Sequence, residues 1–237
     1  MRLLCFPYAG GSAIVYRDWP QHLPSVEVVP VELPGRGARS KEPLVDDVCR
    51  IIDGMIEEMS SLVDLPFAFF GHSMGAAIAF EMARRLRDDG LPEPAHLFVS
   101  GRGAPQIQRD ASATHDLPHD EFIGMLRKLG GTPQEVLADA ELMELILPTL
   151  RADFRASQSY EFLPGKPLGC PLTVFGGLQD TEVRREDMLA WKEQTTSKFA
   201  MHMLPGDHFF LNTARITLMG LIARASLEIC QSTSVNS

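Results

Sequence analysis

Residues 67–75, FAFFGHSMG, constrain the fold of this chain more than any other stretch. An apolar run ends there in the pattern Gly-x-Ser-x-Gly, which is typical of a strained turn that carries a nucleophilic serine between a buried strand and a helix. The turn requires Gly71 and Gly75, because a larger side chain at either position would hold the strand and the helix apart. Strong helix formers follow over residues 76–87. The pattern predicts that Ser73 is a catalytic nucleophile.

Length and composition predict one globular domain over residues 1–237. A chain of this length buries on the order of three quarters of its unfolded surface. Hydrophobic residues make up 45% of the chain and charged residues 22%, with a net charge of −9 at pH 7. Because an acidic chain is repelled by nucleic acid and by anionic membranes, we expect neither as a partner.

The cysteines and the N-terminus indicate an intracellular protein. The four cysteines are widely separated and lack the short spacings of a zinc site or a disulfide framework: Cys5, Cys49, Cys170 and Cys230. We interpret them as buried thiols and expect no metal and no cofactor. The N-terminal apolar run is too short for a signal peptide, and no stretch approaches the roughly 20 apolar residues of a membrane span. The sequence therefore predicts a cytoplasmic protein, which we expect to be a monomer.

Short apolar strands alternate with helices along the chain. Strands are predicted at 3–6, 26–33, 67–70, 95–100, 171–175 and 199–204, and helices at 14–22, 43–62, 76–87 and 212–229. In the second helix, apolar residues recur at i, i+3, i+4, i+7, i+8 and i+11 from Val48, which predicts one buried face. Strands separated by helices indicate an α/β fold with a mostly parallel, doubly wound sheet and helices on both faces.

An insertion at about 104–165 interrupts this alternation with helix signals alone. Residues 120–130 are amphipathic, and Thr132 to Glu135 match a capping box with proline at the first helical position. Asp139 is a candidate cap for a third helix, and Pro148 should start or kink a fourth. An insertion here would lie over the carboxyl edge of the sheet, where ligands bind in open α/β folds. We interpret it as a lid; the alternative is that its apolar face only enlarges the core.

The downstream sequence offers partners for the serine. A serine hydroxyl is a weak nucleophile, so it needs a base, and the base needs an orienting carboxylate. Asp180 follows the strand at 171–175, and His208 follows the strand at 199–204. The chain order Ser, Asp, His is that of α/β hydrolases. The sequence therefore predicts a triad of Ser73, Asp180 and His208.

Three other carboxylates compete with Asp180 in this prediction. Glu182 and Asp187 lie farther beyond the strand end, in or beside a predicted helix. Asp207 is adjacent to His208 and would be strained in reaching its ring. The histidine before the nucleophile, His72, should point away from the hydroxyl and serve in packing or hydrogen bonding. No metal-binding constellation is predicted.

The transition state of acyl transfer carries an oxyanion, which this fold stabilises with two backbone N–H groups. Met74 follows the nucleophile and is the expected first donor. The second donor is expected in the loop after the first strand, where small residues at 8–11 let the backbone approach the substrate. We predict that Ala9 is this donor.

Several motifs together resemble the type II thioesterases of polyketide and nonribosomal peptide synthesis. The motifs are FPYAGGSA at 6–13, LPGRG at 33–37, GHSMG at 71–75, LGGTP at 129–133, LRADF at 150–154 and GDHFF at 206–210. The resemblance covers residues 3–225 and implies an α/β-hydrolase fold. It also gives Ser73, His208 and Asp180 the roles of nucleophile, base and orienting acid. One departure is that Met1 falls almost on the first strand, so an early edge element is missing or the sequence begins inside a longer chain.

The resemblance implies an editing enzyme that hydrolyses misprimed or stalled acyl groups from the phosphopantetheine arm of carrier proteins. Such carriers are generally acidic, and this chain is acidic too, so long-range attraction should be weak. We expect an apolar contact at the lid, assisted by cations near the sheet edge: Arg36, Arg39, Arg102 and Arg109. The alternatives are that these are solvated surface charges, and that the triad serves a general ester hydrolase or an acyltransferase. A non-catalytic binding protein would have a damaged triad.

Overall fold

The computed structural model describes residues 1–107 and 113–235. The described residues form a six-stranded sheet in the order β2-β1-β3-β4-β5-β6, and every neighbouring pair is parallel. The strands are Arg2–Phe6 (β1), Glu27–Pro30 (β2), Phe67–His72 (β3), His96–Ser100 (β4), Leu172–Gly177 (β5) and Phe199–Leu204 (β6). The predicted α/β class and parallel sheet are confirmed.

Helices connect the strands. They are Val48–Asp53 (α1), Ile56–Leu62 (α2), Met74–Asp88 (α3), His119–Leu129 (α4), Gln134–Ala138 (α5), Ala140–Gln158 (α6), Arg185–Leu189 (α7), Phe210–Thr213 (α8) and Arg215–Val235 (α9). Short 3-10 turns occupy Ala13–Tyr16, Trp19–Gln21, Gly37–Arg39, Thr114–Asp116 and Ala190–Gln194. Nowhere in the described ranges is a helix both long and apolar enough to cross a membrane.

The sheet is buried on both faces. Successive side chains of a strand point to opposite faces, so β3 sends Phe67 and Phe69 to one side and Ala68 and Phe70 to the other. On the first side they pack against α1, α2 and α3. On the second side they pack against the turns of residues 13–21 and against α9. Helices on both faces confirm the doubly wound arrangement.

Two predicted helices differ from the structure. The helix expected over 43–62 is two helices, because the chain leaves the helical conformation at Met55, which has φ −120°, and re-enters it at Ile56. The apolar residues of both pieces are still buried on one side, as predicted. The helix expected over 14–22 is two 3-10 turns, the second of which contains Pro20. Proline lacks the N–H that a continuing helix would use.

The insertion is helical, as predicted, but its helix boundaries differ. Asp139 caps α6 by accepting hydrogen bonds from the amides of Glu141 and Leu142. Pro148 lies inside α6, so the predicted third and fourth helices are one. The capping box is wrong, because α5 starts after Pro133 and no side chain caps it. The three helices share an apolar cluster of their own: Phe122, Leu126, Leu137, Met143, Leu147 and Leu150.

The four thiols are only partly as predicted. Cys5 and Cys170 are buried, whereas Cys49 and Cys230 are exposed. Cys49 is on α1 and Cys230 on α9, two helices that each cover one face of the sheet. A helix on the surface of a doubly wound sheet has an outward side, and these two thiols lie there.

His96 gives the fold a pH dependence that can be measured. Its ring is buried, stacks on Phe98 with the ring centroids 4.2 Å apart, and has Nε2 2.9 Å from the Thr173 hydroxyl oxygen. Burial lowers the pKa of His96 from 6.5 to about 4. Between these two values the unfolded chain binds a proton that the folded chain does not, so stability falls as the pH falls below 6.5.

We therefore expect His96→Gln to reduce the acid sensitivity of the fold. At pH 5 the neutral, buried His96 costs the folded state about 2 kcal/mol relative to pH 7. Urea unfolding of both proteins at pH 7 and pH 5 should show a smaller loss of unfolding free energy for His96→Gln by about that amount. Equal losses in the two proteins would show that His96 is not the group that titrates.

Candidate active site

Ser73 lies in a strained turn between β3 and α3. Its backbone has φ 54° and ψ −114°, and it is the single non-glycine residue with positive φ among the residues described. Such a conformation costs about 1–3 kcal/mol and persists only where the surroundings enforce it. The Ser73 amide donates a 2.8 Å hydrogen bond to the Ser100 carbonyl oxygen, which ties the turn to β4. The side chain is half-buried at the carboxyl edge of the sheet.

The two glycines of the motif explain how this turn is enforced. A Cβ on Gly71 would overlap the backbone of Gly75, and a Cβ on Gly75 would overlap the carbonyl oxygen of Phe6. The start of α3 is therefore in direct backbone contact with the end of β1. Only glycine allows this approach.

Asp180 and His208 meet at the same edge. Oδ2 of Asp180 lies 2.9 Å from Nδ1 of His208, and both side chains are buried. The other carboxylate oxygen accepts hydrogen bonds from the amides of Glu182 and Val183 at 2.7 and 3.3 Å. Because a carboxylate only accepts, Nδ1 of His208 carries the proton when the ring is neutral, and Nε2 presents a lone pair.

The loops that carry this pair are fastened to each other by Gln179. The backbone amide of Gln179 donates to the Gly206 carbonyl oxygen at 2.9 Å, and its side-chain oxygen Oε1 accepts from the Gly206 backbone amide at 2.6 Å. A Cβ on Gly177 would overlap the carbonyl oxygen of Asp207. Sequence reasoning missed Gln179, although its place directly before Asp180 was a usable signal.

Two of the three competing carboxylates bond to other groups, and the third is exposed. Asp187 is in an ion pair with Arg184, with O–N distances of 2.9 and 3.1 Å. Asp207 accepts from the Phe209 amide at 2.8 Å, and Glu182 is exposed. Of the four candidates, the structure joins Asp180 to His208.

His72 is hydrogen-bonded, as predicted, and lies against the catalytic candidates. Its Nδ1 is 2.9 Å from the Ser100 hydroxyl oxygen, and its ring centroid is 5.1 Å from that of His208. Burial, with a smaller contribution from His208, lowers the pKa of His72 well below its ordinary value. A neutral His72 adds no positive charge beside His208.

In the loop after β1, the amides of Gly10 and Gly11 are bonded within the protein and the amide of Ala9 is not, as far as the structure describes the chain. The Gly11 amide donates to the Tyr8 carbonyl oxygen at 2.8 Å, and the Gly10 amide donates to Oδ2 of Asp153 at 2.7 Å. The Ala9 amide donates to no acceptor in the described part of the chain. Met74 opens α3, and the first amides of a helix have no partner within it. The amides of Ala9 and Met74 thus have no acceptor among the described residues, and their role as oxyanion donors stays a prediction.

Three of the four predicted docking cations are described by the structure, and each of the three has partners within the molecule. Arg36 is wrong as a surface cation, because it is 8% exposed and paired with Asp153. Arg39 donates two hydrogen bonds of 2.7 and 2.6 Å to the carboxylate of Glu42. Arg102 reaches Ser157 on the insertion and the Ser73 carbonyl oxygen. Arg109 lies outside the described residues. The sequence does not distinguish a buried arginine from a solvated one, because an arginine in a glycine-rich loop is usually solvated.

Comparison with known proteins places this site in a family. The family model described as "Thioesterase domain" matches residues 1–224. The chain belongs to the thioesterase-domain family. It is an enzyme that hydrolyses thioesters.

Individual relatives support the same placement. The chain is 44% identical over 225 residues to the gramicidin S biosynthesis protein GrsT of Aneurinibacillus migulanus, covering 94% of this chain and 88% of GrsT. The solved structure of RedJ, a thioesterase of the prodiginine pathway in Streptomyces coelicolor, is 40% identical with a TM-score of 0.88, covering 94% and 85%. The type II thioesterase BorB of the borrelidin cluster is 37% identical with a TM-score of 0.87, covering 94% and 91%. The resemblance to type II thioesterases is confirmed.

Asp180→Asn tests the pairing that the structure shows. The amide cannot stabilise an imidazolium and favours the wrong ring tautomer, so kcat should fall about 10³–10⁴-fold with little change in KM. The matched control is Glu182→Gln in the same loop, which should stay within about twofold of wild type. Steady-state hydrolysis of a small acyl thioester measures both. Equal losses in the two variants would contradict a specific role for the Asp180–His208 bond.

Proposed function

We propose that this thioesterase removes acyl groups from the phosphopantetheine arm of carrier proteins in polyketide or nonribosomal peptide synthesis, with Ser73 as nucleophile, His208 as base and Asp180 as the orienting acid. The observation that carries the proposal is the buried Asp180–His208 hydrogen bond at the sheet edge where the strained Ser73 turn also ends. The names of GrsT, RedJ and BorB, which refer to the biosynthesis of gramicidin S, prodiginine and borrelidin, support the choice of substrate. We also propose a cytoplasmic monomer that needs no cofactor.

The first half-reaction transfers the acyl group to the enzyme. Nε2 of His208 takes the proton of Ser73 as the hydroxyl oxygen attacks the thioester carbonyl carbon. The amides of Ala9 and Met74 donate to the resulting oxyanion. The carbon–sulfur bond then breaks, and the phosphopantetheine thiol leaves with the proton held on His208.

The second half-reaction returns the enzyme to its starting state. His208 removes a proton from water, which attacks the acyl-Ser73 ester, and the oxyanion is stabilised by the same two amides. The ester bond breaks, Ser73 regains its proton from His208, and the free acid leaves. A thiolate is a better leaving group than a serine alkoxide, so deacylation is the slower half.

We propose that the helical insertion at about 104–165 is the lid of this site. It contacts the site region at two separate places. Gly131 lies against the Phe209 ring so closely that a Cβ would overlap it, and Leu150 lies in the same way against Gly10. Phe209 is next to His208, and Gly10 is next to Ala9. A cover in these positions limits access of water and substrate to the triad.

Carrier docking is proposed at apolar residues of the lid. Leu145 on α6 is 75% exposed, and Leu142 on the same helix is 43% exposed. Exposed leucines of this kind supply contact area that does not depend on opposite charge. Arg36, Arg39 and Arg102 are engaged within the molecule, and two acidic proteins attract each other weakly. The apolar contact therefore carries the proposal.

The direct test compares substrates with and without the carrier. Acetyl, propionyl and longer acyl groups are presented on phosphopantetheinyl carrier protein, on N-acetylcysteamine and as simple esters, with Ser73→Ala as control. We expect the highest kcat/KM for carrier-bound thioesters and no turnover by Ser73→Ala. Equal kcat/KM values for carrier-bound thioesters and simple esters would instead indicate a general ester hydrolase on the same fold.

A matched pair of surface variants locates the docking contact in the same assay. Leu145→Asp should raise KM for carrier-bound thioesters about 3- to 10-fold, because it removes apolar contact and adds repulsion. It should not alter KM for the N-acetylcysteamine thioester. The control is Ile216→Asp, since Ile216 is 81% exposed on α9. A similar rise of KM in both variants would argue against docking at the lid.

A further inference from the structure

A buried ion pair connects the lid to the loop that carries Ala9. Asp153 on α6 is 0% exposed, and Arg36, in the loop after β2, is 8% exposed. The two side chains form a bidentate ion pair, with Nη1 of Arg36 2.5 Å from Oδ2 of Asp153 and Nη2 2.7 Å from Oδ1. This geometry holds two planar groups in one relative orientation.

Both partners also hold the backbone of the loop. Oδ2 of Asp153 accepts the Gly10 amide at 2.7 Å, and Nη1 of Arg36 donates to the Gly11 carbonyl oxygen at 3.0 Å. The pair therefore fixes an N–H of one residue and the C=O of the next. The peptide between Ala9 and Gly10 is fixed through the first of these bonds.

The chain is shaped at two further points to permit this contact. Gly10 has φ +77° and lies against Leu150, which is one helical turn before Asp153 on α6. Arg36 stands between Gly35 and Gly37, both of which have positive φ. The left-handed conformation at these glycines turns the loop so that the Arg36 side chain enters the interior.

Stability alone does not account for a charged pair at this position. Burial raises the pKa of the Asp153 carboxyl, while the N–H donors of Arg36 and Gly10 oppose that effect. On average, a buried ion pair stabilises a fold no more than apolar side chains of the same volume. What apolar side chains cannot provide is an acceptor for the Gly10 amide and a donor for the Gly11 carbonyl.

We propose that Arg36 and Asp153 are positioning residues that hold the loop of residues 8–11 so that the Ala9 amide faces the oxyanion. The inference rests on the proposed role of Ala9. It makes oxyanion stabilisation depend on the place of α6, because movement of this helix away from the loop would free the Gly10 amide. Lid position and catalysis are thereby coupled through one pair of side chains.

The main test is the double variant Arg36→Met/Asp153→Leu, which replaces the charges by apolar side chains of similar size. Its control is Arg155→Gln, which removes exposed ion pairs of α6 with Asp46 and Asp116, at N–O distances of 3.3 and 3.9 Å. Neither pair involves the loop of residues 8–11. The substrate is an acyl N-acetylcysteamine thioester, so no carrier is needed. Circular dichroism and thermal unfolding show that each variant is folded.

Two inhibitors separate positioning from a general effect on the site. An alkyl trifluoromethyl ketone forms a tetrahedral alkoxide with the serine and needs the oxyanion donors; an unreactive thioether analogue needs only the acyl pocket. We expect the double variant to lose about 10- to 100-fold in kcat and to bind the ketone more weakly by a similar factor. KM and thioether affinity should stay within about twofold, and Arg155→Gln should match wild type throughout.

Other results overturn the proposal. Unchanged kcat and ketone affinity in a folded double variant would show that the pair only attaches the lid to the loops and does not position the Ala9 amide. Parallel loss of ketone and thioether affinity would show a deformed pocket instead. If the double variant does not fold, Arg36→Lys keeps the charge but cannot form the bidentate pair. We then expect kcat and ketone affinity to fall about 3- to 10-fold, with KM and thioether affinity unchanged. Residual turnover by Ser73→Ala counts against the proposed triad, not against the pair.

Discussion

The close contact between the start of α3 and the end of β1 is the constraint on which the rest of the site depends. Gly75 packs its backbone on the Phe6 carbonyl oxygen, and Gly71 packs on Gly75. Between these two glycines Ser73 has a strained backbone with positive φ, and its amide donates to the Ser100 carbonyl oxygen. The contact also brings the loop after β1 beside the first amide of α3. The same backbone packing therefore places the proposed nucleophile and the proposed oxyanion donors.

The remaining functional groups are added to this centre by pairs of loops that fasten to each other. Gln179 joins the loop after β5 to the loop after β6, which sets Asp180 against His208. Arg36 and Asp153 join the loop after β2, helix α6 and the loop after β1. In each case a polar side chain satisfies backbone groups that would otherwise be left without partners at a buried sheet edge. The site is held by these cross-links more than by any one strand.

The features of the fold and the site that could be predicted are those that local sequence patterns determine. The strands, the Ser73 turn and the order of the triad candidates follow from short apolar runs and the glycines beside them. The break at Met55 was not predictable from periodicity, because the apolar residues on both sides stay in phase. The burial of Arg36 depends on a residue 117 positions away, and no local signal reports such a pairing. Long-range polar contacts are what the structure adds.

The central claim is that Ser73 carries the acyl group between the two half-reactions. The most direct measurement is rapid acid quench of the enzyme with excess acyl-phosphopantetheinyl carrier, followed by peptide mapping by mass spectrometry. Our account predicts the acyl mass on the peptide that contains Ser73, accumulating because deacylation is slow, and none on Ser73→Ala. An acyl group on any other residue, or turnover by Ser73→Ala, would contradict it.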